Sequence, residues 1–204
     1  MNIGILGAGK IGATLAGILV KQGHPVAISN SRGPASLSDL IAGLGFLAQA
    51  VTPTEAALFG DIVIEAIPFG RFADLPAEAL KGKILVTAAN YYANRDGEID
   101  LMGLTHSQFF TRQLADVKVV KAFNTIHWEQ LRDQGDPQKP MAERRVIFIA
   151  GDDDDAKATV AQLITDLGFA SVDLGSLAES WKQEPGQPIY NKVLTMADAA
   201  AWQD

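Results

Sequence analysis

Gly7, Gly9 and Gly12 stand at G-x-G-x-x-G spacing, directly behind the apolar run 2–6 and in front of a stretch of small residues. That spacing suits the holding of a pyrophosphate, and the chemistry is electrostatic. Gly7 permits a tight turn, Gly9 lets the backbone approach phosphate oxygens without a Cβ in the way, and Gly12 allows a helix to pack closely on a strand. The unpaired N–H groups near Gly9, Lys10 and Ile11 would sit at the positive end of that helix, where an anion is favoured.

Further polar groups follow each later apolar run. A site selective for NAD places an Asp or Glu behind the second strand, where it binds the ribose 2′-hydroxyl; here Asn30, Ser31 and Arg32 stand instead. Hydroxyl and amide donors beside a guanidinium suit a 2′-phosphate, so the cofactor expected is NADP(H). Ala66, Ile67 and Pro68 end the run 61–66, Pro68 setting a turn and Ile67 offering an apolar wall. Phe69 and Gly70 fit a plain strand-to-helix turn as well as they fit a site. Ala89, Asn90, Tyr91 and Tyr92 follow the run 83–88, where an amide and aromatic faces could meet a nicotinamide. Behind 117–122, Asn124 is expected to hold the carboxamide of the ring, and His127 to touch the acceptor or manage a proton near neutral pH. His127 fits a polar network at a helix start equally well. Lys121, inside its strand, is expected to pack its stem and pair with a carboxylate. Asp152 to Asp155 read as the capped start of a helix, where acids favour the dipole, and no metal site is expected. No G-x-S-x-G, H-E-x-x-H or P-loop motif occurs, which withdraws support from hydrolase and kinase readings.

The elements that must position these groups follow from pattern. Apolar runs at 2–6, 25–29, 46–49, 61–66, 83–88, 117–122, 145–150 and 170–173 alternate with helical stretches such as 10–22 and 153–167, which stop at Gly23 and Gly168. The fold class expected is α/β: a Rossmann-type, doubly wound, largely parallel sheet with a small C-terminal αβ extension. Residues 1–204 read as a single NADP-binding domain, with a core of about 1–142 and an extension of about 143–204. Stretches 89–106 and 133–144 read as irregular. The Pro-, Trp- and Tyr-bearing segment 181–190 reads as an ordered strap that could wall the acceptor side of a cleft, and the Ala-rich end as a short helix.

Composition narrows the partners. The 204 residues carry a formal net charge of −7 and no cysteine, which argues against nucleic acid or an anionic membrane and against thiolate or disulfide chemistry. No apolar run approaches the roughly 20 residues that span a bilayer. The expectation is a soluble, cytoplasmic protein acting on a small-molecule redox acceptor, with no nucleic-acid or membrane partner and with a homodimer left open.

Taken together, GILGAGKIG, the Asn-Ser-Arg tip, EAIPFG, ANYYANRDG, VVKAFNTI, GDDDDAK and LAESWKQEPGQPIYN resemble the NADPH-dependent oxidoreductases related to the reductase of the deazaflavin coenzyme F-420. The resemblance covers nearly the whole chain. It implies a Rossmann domain with a small C-terminal αβ part, hydride passing between NADPH and a flat acceptor, Ser31 and Arg32 on the 2′-phosphate, and Ile67, Pro68, Asn90 and Asn124 on the nicotinamide side. The NADPH-binding domain of six-transmembrane metal reductases is similar. Departures from the deazaflavin enzymes in the NYY and ESW blocks leave the acceptor open among deazaflavin, flavin and similar rings. An NADPH-binding sensor without turnover and an imine or keto-acid reductase stay as alternatives, the last disfavoured because the chain has no room for a dimerising helical domain.

Overall fold

The computed structural model describes residues 1–200. In chain order the elements are β1 (Ile3–Leu6), α1 (Lys10–Lys21), β2 (Val26–Ser29), α2 (Ser38–Leu44), β3 (Ala48–Ala50), α3 (Pro53–Phe59), β4 (Ile62–Glu65), α4 (Ala77–Leu80) and β5 (Ile84–Thr87). Then come α5 (Ala93–Asp96), α6 (His106–Thr111), β6 (Lys118–Lys121), α7 (Trp128–Asp133), β7 (Val146–Gly151), α8 (Asp154–Asp166), β8 (Ala170–Asp173) and α9 (Met196–Ala200). All eight expected strands are present, most of them shorter by a residue or two than the apolar runs that announce them.

The strands form one sheet in the order β3-β2-β1-β4-β5-β6-β7-β8. Every pairing from β3 across to β6 is parallel. β7 then joins β6 antiparallel through Val120↔Gly151 and Lys121↔Ala150, and β8 returns parallel to β7. This is the Rossmann-type α/β architecture with a small αβ extension. Strand order reverses between β1 and β4, so the crevice at their carboxyl ends is the place where this class of sheet takes ligands.

The apolar residues do what their periods require. α1 buries Gly12, Leu15, Ala16 and Leu19 on one face, and Gly23 ends it with φ +83°. α8 starts on Asp153, whose carboxylate accepts from the Ala156 N–H at 2.8 Å, and it buries Val160, Leu163 and Ile164. Thr52 and Glu55 close a capping box at the start of α3. The stretch 89–106 is not wholly irregular: α5 lies inside it and α6 opens at His106 under a second capping box, Thr105 with Gln108. Stretch 133–144 is irregular beyond the end of α7 except for a 3-10 turn at Met141–Glu143. The Ala-rich end does form a helix, α9, while residues 201–204 of the expected extension lie outside the described residues.

β1 and α3 approach too closely for a side chain between them. A Cβ on Gly4 would lie 2.1 Å from the Ala56 carbonyl oxygen, whereas one on Gly43, in α2, would meet nothing within 4 Å. Gly4→Ala is expected to cost about 1–3 kcal/mol, the scale of overpacking a core. Gly43→Ala should be neutral or stabilising by up to about 1 kcal/mol, because alanine restricts the unfolded chain and favours helix. Urea denaturation of the two variants checks the contrast, and equal midpoints would contradict it.

Candidate dinucleotide site

The glycines of the first turn divide the work among them. Gly7 holds φ +110°, with its would-be Cβ 2.6 Å from the Ala66 carbonyl oxygen, and a Cβ on Gly12 would lie 1.9 Å from the carbonyl oxygen of Gly7. Both are needed for packing. Gly9 has an ordinary extended φ of −74°, and a Cβ there would meet nothing within 4 Å. It faces open space beside the start of α1. No side chain caps that helix, and its first helical bond runs from Ala13 N–H to the Gly9 carbonyl. The N–H groups of Lys10, Ile11 and Gly12 therefore have no acceptor within the helix. Open donors over a bare glycine make a cradle for a phosphate pair, and these residues fit a dinucleotide on that ground.

Two cavities meet at this cradle and share Gly9, Ala66, Ile67 and Pro68. The first, about 380 Å³, runs past Gly7 to Asn30, Ser31 and Arg32, with Pro53, Arg71, Leu75 and Pro76 also in its walls. Ser31 and Arg32 are exposed within it. Asn30 is committed locally, since its Oδ1 accepts from Arg32 N–H at 3.0 Å and its Nδ2 donates to Ser36 Oγ at 2.8 Å. It shapes the turn that presents its neighbours. Arg71, a second guanidinium in this cavity, carried no motif to mark it.

The second cavity, about 410 Å³, is floored by Ala66 to Pro68 and Ala88 to Asn90, and bounded by Lys10, Ile11, Asn124, His127, Trp128, Tyr92 and Tyr190. His127 is exposed at the N-cap of α7. Trp128 carries Lys10 and Arg132 over its ring, each 5.3 Å from the centroid. Asn124 is buried and largely engaged: its Nδ2 donates to Asn90 Oδ1 at 3.0 Å and to the Gln183 carbonyl at 2.7 Å, while Asn90 Nδ2 returns a bond to the Asn124 carbonyl at 2.9 Å. Asn124 Oδ1 is left without a partner among the described residues, as are both side-chain polar atoms of Gln183.

Of the aromatic residues, Phe69 is buried against Phe72, Tyr91, His106 and Phe109, so it anchors the loop and does not face the groove. Tyr91 is likewise an anchor, its hydroxyl donating to the Gly97 carbonyl at 2.9 Å. Tyr92 reaches the cavity. Within the strap 181–190, Trp181 is 45% exposed and turned to solvent, while Gln183 and Tyr190 close on the site.

Beneath the floor lies a charged layer that sequence reading did not assemble. Glu65, fully buried at the end of β4, accepts from Ile67 N–H at 2.8 Å and from Thr87 Oγ1 at 2.7 Å, and burial pushes its carboxyl up to about 7. Lys121 donates to the Ala89 carbonyl at 2.8 Å, and burial brings its ammonium down to about 8. The expected ion pair for Lys121 does not form among the described residues. Glu65 and Glu184 attract it without direct contact, because its strand aims the Nζ at the β5 loop. His106 is driven down to about 4 by burial and by Lys121, so it is neutral near pH 7 and its 3.4 Å approach to Glu184 is not an ion pair there. The clue in the sequence was a charged residue at the carboxyl end of each of two strands with apolar middles, Glu65 in β4 and Lys121 in β6.

Asp152 to Asp155 behave as a helix start: Asp153 caps α8 and pairs with Lys118, and Asp152 accepts from Leu177 N–H. No group of three His, Cys, Asp or Glu that could hold a metal occurs among the described residues. No helix among them is long and apolar enough to cross a membrane.

A largely parallel sheet with its switch point beside a glycine cradle, open to a long groove, defines the class of Rossmann-type dinucleotide-binding folds. Residues 2–91 match the family model described as NADP oxidoreductase, coenzyme F420-dependent. A hypothetical protein from Sinorhizobium meliloti is 37% identical with a TM-score of 0.84, covering 96% of this chain and 95% of that one. A candidate F420-dependent NADP-reductase from Arthrobacter sp. is 29% identical with a TM-score of 0.72, covering 87% and 86%. Over residues 2–91 the chain matches this coenzyme F420-dependent NADP oxidoreductase family. Metalloreductase STEAP3 of Rattus norvegicus is 32% identical over 90% of this chain but 36% of its own length. The chain thus spans about a third of the length of the curated relatives it matches. An imine reductase from Pseudomonas sp., 17% identical with a TM-score of 0.63 over 99% of this chain and 60% of its own, shares the fold alone.

Glu65 makes stability depend on pH in a definite direction. Its carboxyl ionises at about 7 when folded against 4.5 for the free group, so between those values the folded state binds more protons than the unfolded one. The contribution is fully present below pH 4.5 and is lost as pH rises through 7. Relative to Glu65→Gln, which keeps a side chain able to bond Thr87, the native protein should lose on the order of 2–3 kcal/mol between pH 5 and pH 7.5. Urea titrations of both proteins at the two pH values measure it, and parallel pH profiles would refute it.

Proposed function

We propose that the chain binds NADPH along the groove and passes hydride to a small, flat redox acceptor in the second cavity. The observation that carries this reading is the exposed pair Ser31 and Arg32 at a β2 tip without a carboxylate, lining a cavity continuous with the glycine cradle in which Asp74 is paired with Arg71. An acid at this place would repel a 2′-phosphate, whereas a guanidinium and a hydroxyl hold it through charge-assisted bonds. Gly7, Gly9, Lys10, Ile11 and Gly12 would cradle the pyrophosphate, and Ala66, Ile67 and Pro68 would pass along the cofactor's middle.

When bound, NADPH supplies the hydride, so the protein needs no nucleophile of its own. Its residues position and enclose. Ile67 and Pro68 offer an apolar wall to the nicotinamide, and Asn124, which borders the cavity with its amide oxygen buried and unpartnered, would accept from a carboxamide. Asn90 and Gln183 hold Asn124 in place for that contact. His127, exposed on the opposite rim, would meet the acceptor. A single NADP-binding domain is part of the same reading, supported by one sheet that runs through core and extension.

Arg32→Ala is expected to weaken NADPH binding by about 1.5–3 kcal/mol, the scale of a charge-assisted hydrogen bond, and to leave NADH nearly unchanged. Calorimetric titration with both cofactors decides it, equal weakening being the contrary result. His127→Ala should lower acceptor-dependent loss of the NADPH absorbance band while keeping the NADPH dissociation constant within about twofold. A panel of deazaflavin, FMN, menadione and ferric citrate tests turnover. NADPH bound tightly but oxidised at buffer rate with every acceptor would overturn the reading.

A further inference from the structure

Tyr92, from the loop after β5, and Tyr190, from the strap 98 residues later, bring their hydroxyls together in the wall of the second cavity. Counting protons shows what the pair can do. Two phenols bring two O–H groups, and their mutual contact uses one of them as donor. The other groups on the Tyr190 oxygen are Asn90 Nδ2, at 3.5 Å, and the Asn191 side chain, whose bond favours the ionised phenol as a donor does. One phenolic O–H is therefore left without an acceptor among the described residues.

Both side chains are half-buried and line the cavity, so the surplus donor is open to an acceptor on a ligand there. Burial and the contact with Tyr92 push the Tyr190 phenol above its ordinary value, so it keeps its proton at neutral pH. The Arg95 guanidinium lies 5.0 Å over the Tyr92 ring and works against that rise at Tyr190, favouring negative charge on the pair once a proton has left. Arg95 is itself held by the Asn90 carbonyl at 2.6 Å and by Asp96 at 2.7 Å. The phenols thus stand across the Ile67 and Pro68 floor with a donor to spare and a cation behind them.

We propose that the Tyr92–Tyr190 pair gives its spare O–H to the carbonyl oxygen of a conjugated ring acceptor and delivers the proton that accompanies hydride transfer. This rests on the function proposed above and narrows it to acceptors whose reduction places charge on a ring carbonyl. The acceptor ring takes the hydride, with its two electrons, from reduced nicotinamide, and charge gathers on the conjugated oxygen. The phenolic O–H bond breaks, its proton bonds to that oxygen, and water returns a proton to the phenolate. The sum is NADPH, acceptor and one proton giving NADP⁺ and the two-electron-reduced acceptor.

The test uses the whole chain with menadione as acceptor, and lumichrome as a ring probe bound to the NADP⁺-loaded protein and followed by its fluorescence. The double variant Tyr92→Phe, Tyr190→Phe keeps both rings and removes both hydroxyls. It is expected to lower menadione turnover by about tenfold or more, the lower range of lost acid catalysis. It should also abolish the solvent deuterium isotope effect on turnover and weaken lumichrome binding several-fold, while NADP⁺ affinity and the melting temperature stay close to native. Each single variant retains one O–H and should fall between. Unchanged turnover, isotope effect and lumichrome affinity in the double variant would overturn the proposal. A native protein that binds lumichrome more tightly than the double variant yet oxidises no NADPH would overturn the hydride reading and the proton step, and leave the hydrogen-bonding role standing. Equal lumichrome binding, or none in either protein, would overturn that role as well.

Discussion

The groove exists because α1 can begin almost in contact with the ends of β1 and β4. Gly12 against the Gly7 carbonyl, and Gly7 against Ala66, bring backbone to backbone at separations where any Cβ would collide. That approach points the first N–H groups of the helix into the crevice at the strand-order reversal. A longer step between strand and helix would leave the same donors facing solvent. The positive end of the helix matters to an anion only within its first turn, so the contact decides whether the cradle has any electrostatic force.

The walls of the second cavity depend on a different layer, one made of buried charge. Glu65 fixes the turn at Ile67, Lys121 fixes the loop at Ala89, and Thr87 ties the first of these to β5. Three strand ends therefore hold two loops through groups that can satisfy loop backbone where apolar side chains could not. The cost is desolvation, visible in a carboxyl moved up and an ammonium moved down. Direct pairing of Glu65 with Lys121 would neutralise that cost but would release both loops.

The extension adds the last wall. β7 reverses direction against β6, β8 lies beyond it, and the chain then returns through the strap to the second cavity. There Gln183 meets Asn124, Glu184 meets the His106 N–H at 2.7 Å, and Tyr190 meets Tyr92. A segment that carries no regular strand of its own thus finishes a site built by the parallel core.

The strands, the glycine cradle and the Ser31–Arg32 tip were legible in the sequence because each is set by local rules: apolar runs, spacing within one turn, and the absence of a carboxylate at one position. So was the helix-start role of Asp153. The strap was legible as an ordered segment, from its proline and aromatic content, but not the choice of Tyr190 over Trp181 to face the groove. Phe69 and Tyr91 looked no different from Tyr92 in the chain, yet two became anchors and one a wall, since burial depends on what packs opposite. Glu65, Lys121, His106 and Glu184 stand far apart in sequence, and their titration follows from desolvation by neighbours that only the fold assembles. Local pattern determined the elements and the glycine turn at the start of α1. Tertiary packing alone decided which polar groups are spent holding the site and which remain free to act in it, because hydrogen-bond partners and dielectric are properties of space and not of spacing along the chain.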